Sequence, residues 1–137
     1  MSTYLLFIEL PKTTGIQVGK LGQFTFPDGR YIYVGRAKKN LKARLERHRR
    51  KNKTLYWHID YFLQYARLIN IITCNGNDEC SLARYLAGQL GITVPVLKFG
   101  SSDCSCKSHF FRWEGNEQSL NIPPGCSGDQ KESLWLS

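Results

Sequence analysis

The amino-acid sequence predicts a small α/β (α+β) domain, in which a mixed or antiparallel central sheet of about three main strands is flanked by helices. Three apolar runs supply the strands, at residues 4–10, 31–34 and 67–73. Three segments with apolar side chains at helical spacing supply the helices, at residues 41–48, 57–66 and 79–90. A chain of 137 residues is long enough for one core but not for two, so one domain is expected.

The first strand, residues 4–10, is apolar at almost every position, which is typical of a strand buried on both faces. Residues 12–30 then hold several glycines and a Pro-Asp-Gly turn around two short apolar segments. An antiparallel meander is the simplest topology for this arrangement. It would bring Tyr4 and Tyr33 onto neighbouring strands.

The second main strand carries tyrosines on one face and aliphatic side chains on the other. Tyr31, Tyr33 and Gly35 recur at every second position, whereas Ile32 and Val34 face the opposite way, towards a core. The missing side chain at Gly35 leaves a gap that a backbone or a ligand could approach closely. We interpret Tyr31 as a packing aromatic and Tyr33 as a candidate functional residue.

A basic helix follows this strand after a short polar turn. Asn40 is a plausible N-cap, and Leu41 and Leu45 form the stripe that faces the core. Arg44 and His48 lie four residues apart and therefore on one face of the helix. The sequence thus predicts a strand and a helix that deliver tyrosine, arginine and histidine to one small site.

The formal charge of +8 is concentrated in one segment, residues 36–53, which contains ten of the nineteen Lys and Arg residues and a single Glu. A polyphosphate partner explains such a segment, because neutralised phosphates release condensed counterions. We expect DNA, with RNA as the alternative; a solvated helix face would carry the same charges without a partner. The predicted nucleic-acid contacts are Arg36, Lys38, Lys39, Lys42, Arg47, Arg50 and Lys51.

The third predicted helix contains Glu79 in its first turn, with Cys80, Ala83, Ala87 and Leu90 expected to face the core. Glu79 lies at the margin of this stripe, so its carboxylate can point into a groove between helix and sheet. There it could hold Mg²⁺ or Mn²⁺, because Mg²⁺ commonly binds one or two protein carboxylates while water and substrate phosphates complete its coordination. The alternative is a Glu that only complements the helix dipole.

The five cysteines are interpreted as free thiols or metal ligands. Residues 1–12 lack the pattern of an export signal, so we expect a reducing, cytoplasmic setting with no membrane partner. Cys104, Cys106 and His109, together with Cys80 or Cys74, could bind structural Zn²⁺ through four ligands. Buried free thiols beside a histidine are the alternative.

Two segments near the centre of the chain resemble the second half of the GIY-YIG nuclease signature. These are YVG at residues 33–35 and NLKARLERH at residues 40–48. Tyr4 would stand for the tyrosine of the first half, although Ser2 and Thr3 replace the Gly and Ile of that family.

Three further segments resemble a less studied branch of the same superfamily, a domain of unknown function. They are WHIDY at residues 57–61, Glu79-Cys80, and GSSDCSCKSH at residues 100–109. Members of this branch occur alone or joined to endonuclease III-type DNA glycosylases. The resemblance covers roughly residues 3–112 and implies a GIY-YIG-like domain over residues 1–113, with 114–137 expected to be a poorly ordered or loosely packed tail.

The resemblance implies a metal-dependent DNA endonuclease whose catalytic residues are Tyr4, Tyr33, Arg44, His48 and Glu79. Tyr33 or Tyr4 would accept or relay a proton, if nearby Arg and Lys lower the phenol pKa. Arg44 would clamp the scissile phosphate, His48 would assist the water or orient a tyrosine, and Glu79 would hold Mg²⁺ or Mn²⁺.

Four polar residues form a secondary candidate site beside the first: His58, Asp60, Asp103 and His109. We expect structure-directed rather than sequence-specific cleavage, linked to DNA repair or processing and to a repair partner protein. A non-catalytic nucleic-acid-binding module on a degenerate nuclease scaffold is the alternative function. A zinc-stabilised protein-interaction domain is a third.

Overall fold

The structure, a computed structural model, describes residues 2–115, 120–123, 125–127 and 135. Over these residues the chain forms eight strands and three α-helices. The strands are β1 (Ser2–Leu10), β2 (Thr14–Val18), β3 (Gly22–Phe26), β4 (Gly29–Ala37), β5 (Arg67–Cys74), β6 (Ile92–Thr93), β7 (Phe110–Trp113) and β8 (Cys126–Ser127). The helices are α1 (Leu41–Arg49), α2 (His58–Leu63) and α3 (Glu79–Ala87), and a short 3₁₀ turn, Gly19–Leu21, joins β2 to β3.

The main sheet has six strands in the order β6-β7-β4-β1-β5-β8, and every described pairing in it is antiparallel. The prediction of an α+β fold is confirmed and, of the two predicted kinds of sheet, mixed or antiparallel, the second is present; the number of strands is larger than the predicted three. The three long strands β4, β1 and β5 are the predicted ones. The others are two to four residues long and too short to show a recognisable alternation. Strands β2 and β3 form a separate hairpin.

Strand β1 is the centre of the sheet and is buried on both faces, as its apolar sequence predicts. In its register with β4, Tyr4 lies opposite Gly35 and Leu6 lies opposite Tyr33. The predicted neighbourhood of Tyr4 and Tyr33 is therefore confirmed. Because successive side chains alternate, each strand contributes to two cores, one on either side of the sheet.

Helices α1 and α2 and the β2–β3 hairpin pack over the first core, which contains Tyr4, Tyr31 and Tyr33. Tyr31 behaves as the packing aromatic that was predicted, because its ring stacks on Phe110 with centroids 5.2 Å apart. Its hydroxyl donates a hydrogen bond to the carbonyl oxygen of Pro27 at 2.5 Å.

Helix α3 covers the opposite core with a different stripe from the one predicted. Its buried residues are Leu82, Ala83 and Leu86, whereas Leu90 is 86% exposed. The helix ends at Ala87, which is also exposed, so Leu90 lies beyond it. Leu82 and Leu86 bury more apolar surface than Cys80 and Ala87 would. The helix is therefore rotated about its axis so that these two leucines face the core.

Cys74 at the end of β5 forms a disulfide with Cys126 in β8. The interpretation of all five cysteines as thiols or ligands was therefore wrong for these two, because β8 pairs beside β5 and brings their Cα atoms to 3.8 Å. Most of the predicted tail, 114–137, lies outside the described residues; of its described members, Trp135 stacks on Trp113. Nowhere in the described part does a helix combine the length and apolar character needed to cross a bilayer.

Candidate active site

A cleft of about 730 Å³ opens where the ends of β1 and β4 meet α1, α3 and the loop before β7. Four of the five predicted catalytic side chains line this cleft: Tyr4, Tyr33, Arg44 and Glu79. The fifth, His48, lies buried behind Tyr4. Three of the predicted basic contacts also line the cleft: Arg36, Lys38 and Lys39. The fold thus gathers residues from four separate segments of the chain into one polar cavity.

Tyr4 and His48 form a buried hydrogen-bonded pair at the back of the cleft. The distance from Tyr4 Oη to His48 Nε2 is 2.7 Å, and the two side chains are 1% and 3% exposed. Gly35 makes room for this pair, because a Cβ atom there would lie 2.4 Å from Tyr4 Cζ and 2.5 Å from its hydroxyl oxygen. The gap predicted at Gly35 is therefore filled by the Tyr4 ring.

The two cleft tyrosines are neutral phenols at neutral pH. Burial raises the pKa of Tyr4 and of Tyr33 well above the ordinary value, and the opposing effect of the Arg44 charge is smaller. The condition that nearby cations lower the phenol pKa is therefore not met. Those cations lie close by, but desolvation of the buried rings is the larger effect.

His48 is also neutral, because burial and the charge of Lys53 lower its pKa to about 3. Its Nε2 can therefore accept a hydrogen bond from the Tyr4 hydroxyl. Among the described residues, His48 Nδ1 has no hydrogen-bond partner. The pair is thus a neutral phenol hydrogen-bonded to a neutral imidazole.

Arg44 is held in place before any ligand binds. Its Nη1 donates to the carbonyl oxygen of Arg36 at 2.7 Å, and its guanidinium lies 4.3 Å from the centroid of the Trp57 ring. Asn40 begins the helix as predicted, accepting a hydrogen bond from Ala43 N at 3.2 Å. The cap and the ring together direct Arg44 into the cleft.

Glu79 is the first residue of α3, and its carboxylate is 13% exposed at the cleft wall. Its Oε1 lies 3.6 Å from Arg36 Nε, and its Oε2 lies 3.5 Å from His109 Nδ1. The capping of α3 belongs to Asp78, which accepts a hydrogen bond from Ser81 N at 2.7 Å. Because Asp78 already caps the helix, the Glu79 carboxylate is available to the cleft.

Two of the seven predicted nucleic-acid contacts are used inside the fold instead. Arg47 forms a bidentate pair with Asp60, at 2.8 and 2.9 Å. The Lys51 ammonium donates to the carbonyl oxygens of Leu63, the last residue of α2, and of Ala66 beyond it. Lys51 therefore stabilises the end of a helix. The remaining two, Lys42 and Arg50, are exposed.

Of the four residues of the secondary polar site, His58 and Asp103 line the cleft, whereas Asp60 and His109 do not. His58 lines the cleft and its Nδ1 accepts a hydrogen bond from Gly100 N at 2.9 Å, while Asp103 pairs with Arg36 at 3.6 Å. Asp60 is fully buried and accepts hydrogen bonds from two backbone N–H groups at the start of α2. His109 lies behind Glu79.

A second constellation lies on the far side of Glu79. The side chains of Cys80, Cys104, Cys106 and His109 bring their sulfur and nitrogen atoms within 4.8 Å of one another and could hold a metal ion. These are the four residues predicted as possible zinc ligands, with Cys80 rather than Cys74 as the first.

The thiols of this constellation crowd one another. Hydrogen bonding to the Cys106 thiol, with burial and the nearby Cys104, raises the pKa of Cys80 to about 12. Burial raises the pKa of Cys106 as well. Without a cation, Cys80 and Cys106 are therefore protonated thiols at neutral pH.

The cleft contains residues that sequence reasoning did not single out. Gly100 is one, because a Cβ atom there would lie 2.9 Å from Tyr33 Cε1. Tyr56 is another, an aromatic side chain that is 75% exposed and whose ring centroid is 5.9 Å from that of Trp57. An aromatic next to a basic segment is the signal that could have found Tyr56.

Comparison with known proteins gives one match. The family described as domain of unknown function DUF123 matches residues 3–126, which is most of the chain. No curated protein and no solved structure matches it. By that match, the chain belongs to the family of domains of unknown function called DUF123.

Proposed function

We propose that this protein is a divalent-metal-dependent DNA endonuclease of the GIY-YIG type, which hydrolyses phosphodiester bonds. One observation carries the proposal: two tyrosines, an arginine and a glutamate from four segments line a single cleft walled by cations. Phosphoryl chemistry needs a bound phosphate, a route for the water proton and charge stabilisation, and each task has a candidate group there.

Phosphate binding falls to the guanidinium of Arg44, with Arg36, Lys38 and Lys39 along the cleft wall. The planar fork of Arg44 matches two phosphate oxygens, and its stacking on Trp57 reduces the freedom it loses on binding. A bound phosphate would also compete with Glu79 and Asp103 for Arg36. The resting ion pairs of Arg36 then mark where the negative charge of the substrate goes.

Proton transfer falls to the pair of Tyr4 and His48. In this scheme His48 carries its proton on Nδ1, so that the Tyr4 hydroxyl donates to His48 Nε2 and accepts a hydrogen bond from a water in the cleft. As the water oxygen bonds to phosphorus and the bond to the leaving oxygen breaks, the water proton passes to Tyr4 and the Tyr4 proton to His48. Because its pKa is about 3, His48 then returns a proton through Tyr4 to the leaving oxygen, which departs as a hydroxyl group, and the pair is restored.

Glu79 is the residue that would hold Mg²⁺ or Mn²⁺. The donor set fits such an ion, because it offers one carboxylate on an open cleft that has room for water and a phosphate. The ion would supply positive charge at the leaving oxygen. Tyr33, buried against Gly100, forms the wall that faces this carboxylate.

The test is a nicking assay on branched, flapped and duplex DNA with Mg²⁺ or Mn²⁺, comparing Glu79→Gln with the native protein. Glu9→Gln is the matched control, because Glu9 lies at the other end of β1 and pairs with Arg67. The proposal expects cleavage that disappears in Glu79→Gln and persists in Glu9→Gln. Tight binding without cleavage of any substrate would favour the non-catalytic binding module.

The substrate class is tested by the same assay with RNA and with changes of sequence. One small cleft lined by cations contacts phosphates rather than base edges, so cleavage should follow the branching of the DNA. A sharp sequence preference, or faster cleavage of RNA, would contradict this part of the proposal. The link to DNA repair and to a repair partner stays a prediction that the assay does not address.

A further inference from the structure

We propose that Cys80, Cys104, Cys106 and His109 bind one structural Zn²⁺ ion, and that this ion positions Glu79 at the cleft through the His109 ring. The inference concerns metal binding and does not depend on nuclease activity. It begins from four possible ligands that converge in three dimensions although they come from α3 and from a loop.

The spacing of the four ligand atoms fits a tetrahedral zinc ion. With Zn–S bonds of about 2.3 Å and Zn–N bonds of about 2.0 Å, a tetrahedral ion holds sulfur and nitrogen roughly 3.5 Å apart. His109 Nε2 lies 3.5 Å from Cys104 Sγ and 3.9 Å from Cys80 Sγ. Thiolate and imidazole ligands in this combination select zinc over Mg²⁺ or Ca²⁺, which prefer oxygen.

The tight Cys-x-Cys spacing is accommodated by a bend in the loop. The Lys98 ammonium donates to the carbonyl oxygens of Cys104 and Cys106, at 2.9 and 3.2 Å, which gathers the backbone between them. Cys104 N also donates to the carbonyl oxygen of Ser101 at 3.3 Å. Both thiols can therefore reach one point, even though only one residue separates them.

His109 connects this cluster to the cleft. Its ring is fully buried, with Nε2 directed at the thiols and Nδ1 3.5 Å from Glu79 Oε2. Within the described residues, that Nδ1 has no hydrogen-bond partner. A histidine that binds zinc through one nitrogen commonly donates its other N–H to a carboxylate, which fixes the ring and orients the carboxylate.

The zinc ion would also hold the loop that forms one wall of the cleft. Residues 94–109 contain no helix or strand, and such long connections in a compact domain are usually functional. This loop carries Gly100 and Asp103 to the cleft. A zinc ion bound to Cys80 of α3 and to ligands in the loop would therefore hold the loop against the helix and, through His109, keep Glu79 in position.

The first test is elemental analysis of the purified full chain, expressed with zinc in the medium, followed by titration with an organomercurial thiol reagent. We expect one zinc per chain, released as three thiols react, because the two remaining cysteines form the disulfide. Cobalt-loaded protein should show the visible absorption of a tetrahedral ion and thiolate charge transfer. No metal, or a different metal at one equivalent, would overturn the proposal.

Variants then assign the ligands. Cys106→Ser should lose the metal, whereas Cys126→Ser, outside the cluster, should keep it; if Cys106→Ser fails to fold, the mercurial titration of the native chain decides. Glu79→Gln should weaken zinc binding about 10- to 100-fold, measured against a chromophoric chelator, with Glu9→Gln unchanged. Equal zinc affinity in both variants would refute the link between zinc and Glu79, whatever the outcome of the nicking assay.

Discussion

Replacing Gly35 by alanine should disable the proposed nuclease without unfolding it. The new Cβ atom would lie 2.4 Å from Tyr4 Cζ, whereas carbon atoms pack at about 3.5 Å or more, so the ring must move by roughly 1 Å. Tyr4 is 1% exposed and hydrogen-bonded to His48, so the ring can move only by straining its buried neighbours or breaking that hydrogen bond. This displacement would move the Tyr4 hydroxyl, the group proposed to take the proton of the reacting water.

The magnitude follows from two effects. Overpacking of a filled core costs about 1–3 kcal/mol of the free energy of unfolding. A misplacement of about 1 Å in a reacting group costs roughly 10²-fold in rate. DNA affinity should stay close to the native value, because the cations of the cleft are unchanged.

The assay compares Gly35→Ala with Gly88→Ala in single-turnover cleavage and in urea unfolding. A Cβ atom at Gly88 meets only ordinary contacts, at 3.7 and 3.8 Å, so this variant controls for loss of a glycine. A folded Gly35→Ala protein that cleaves at the native rate would refute the assignment of Tyr4 to the chemistry. Native stability in that variant would refute the packing argument itself.

Three further predictions address other parts of the structure. The pKa of His48 is about 3 in the folded chain and 6.5 in an unfolded one, so on acidification the unfolded chain is protonated at a higher pH than the folded chain. The free energy of unfolding should therefore fall by roughly 5 kcal/mol as the pH drops from 6.5 to 3. In His48→Gln, which keeps a hydrogen-bond partner for Tyr4, the free energy of unfolding measured in urea should depend less on pH over that range. Asp60→Asn should cost about 3–5 kcal/mol in the same measurement, because it leaves the Arg47 charge unpaired, and a loss below 1 kcal/mol would contradict this. Tyr56→Ala should weaken binding of single-stranded DNA by about 1–3 kcal/mol if a base stacks on this exposed ring, and unchanged binding in a fluorescence titration would exclude that contact.

Much of the local structure was predictable because its causes are local. The alternation of side chains in β4 placed Tyr33 on one face and Val34 on the other, and the three long strands were identified from their apolar runs. The Asn40 cap and the spacing of Arg44 and His48 also depend only on neighbouring residues. Each of these features depends only on residues within about one helical turn or one strand.

The chemical state of the site was not predictable in the same way. Nearby cations suggested a lowered phenol pKa, but burial raises it, and burial depends on what the rest of the chain places around the ring. The basic segment likewise suggested that Arg47 and Lys51 contact the phosphates of a nucleic acid. The folded chain assigns Arg47 to Asp60 and Lys51 to the end of α2, because buried polar groups must be paired.

By itself, therefore, the sequence determined the class of fold, the faces of the central strands, the basic segment and three possible zinc ligands, Cys104, Cys106 and His109, with Cys80 or Cys74 as the fourth. Only the tertiary structure decided that Glu79 lies between the Arg36 side chain and the His109 ring, and that Cys126 rather than a metal takes Cys74. The physical reason is that periodicity determines which way a side chain faces, whereas contacts between distant segments depend on how the two sides of the sheet are filled.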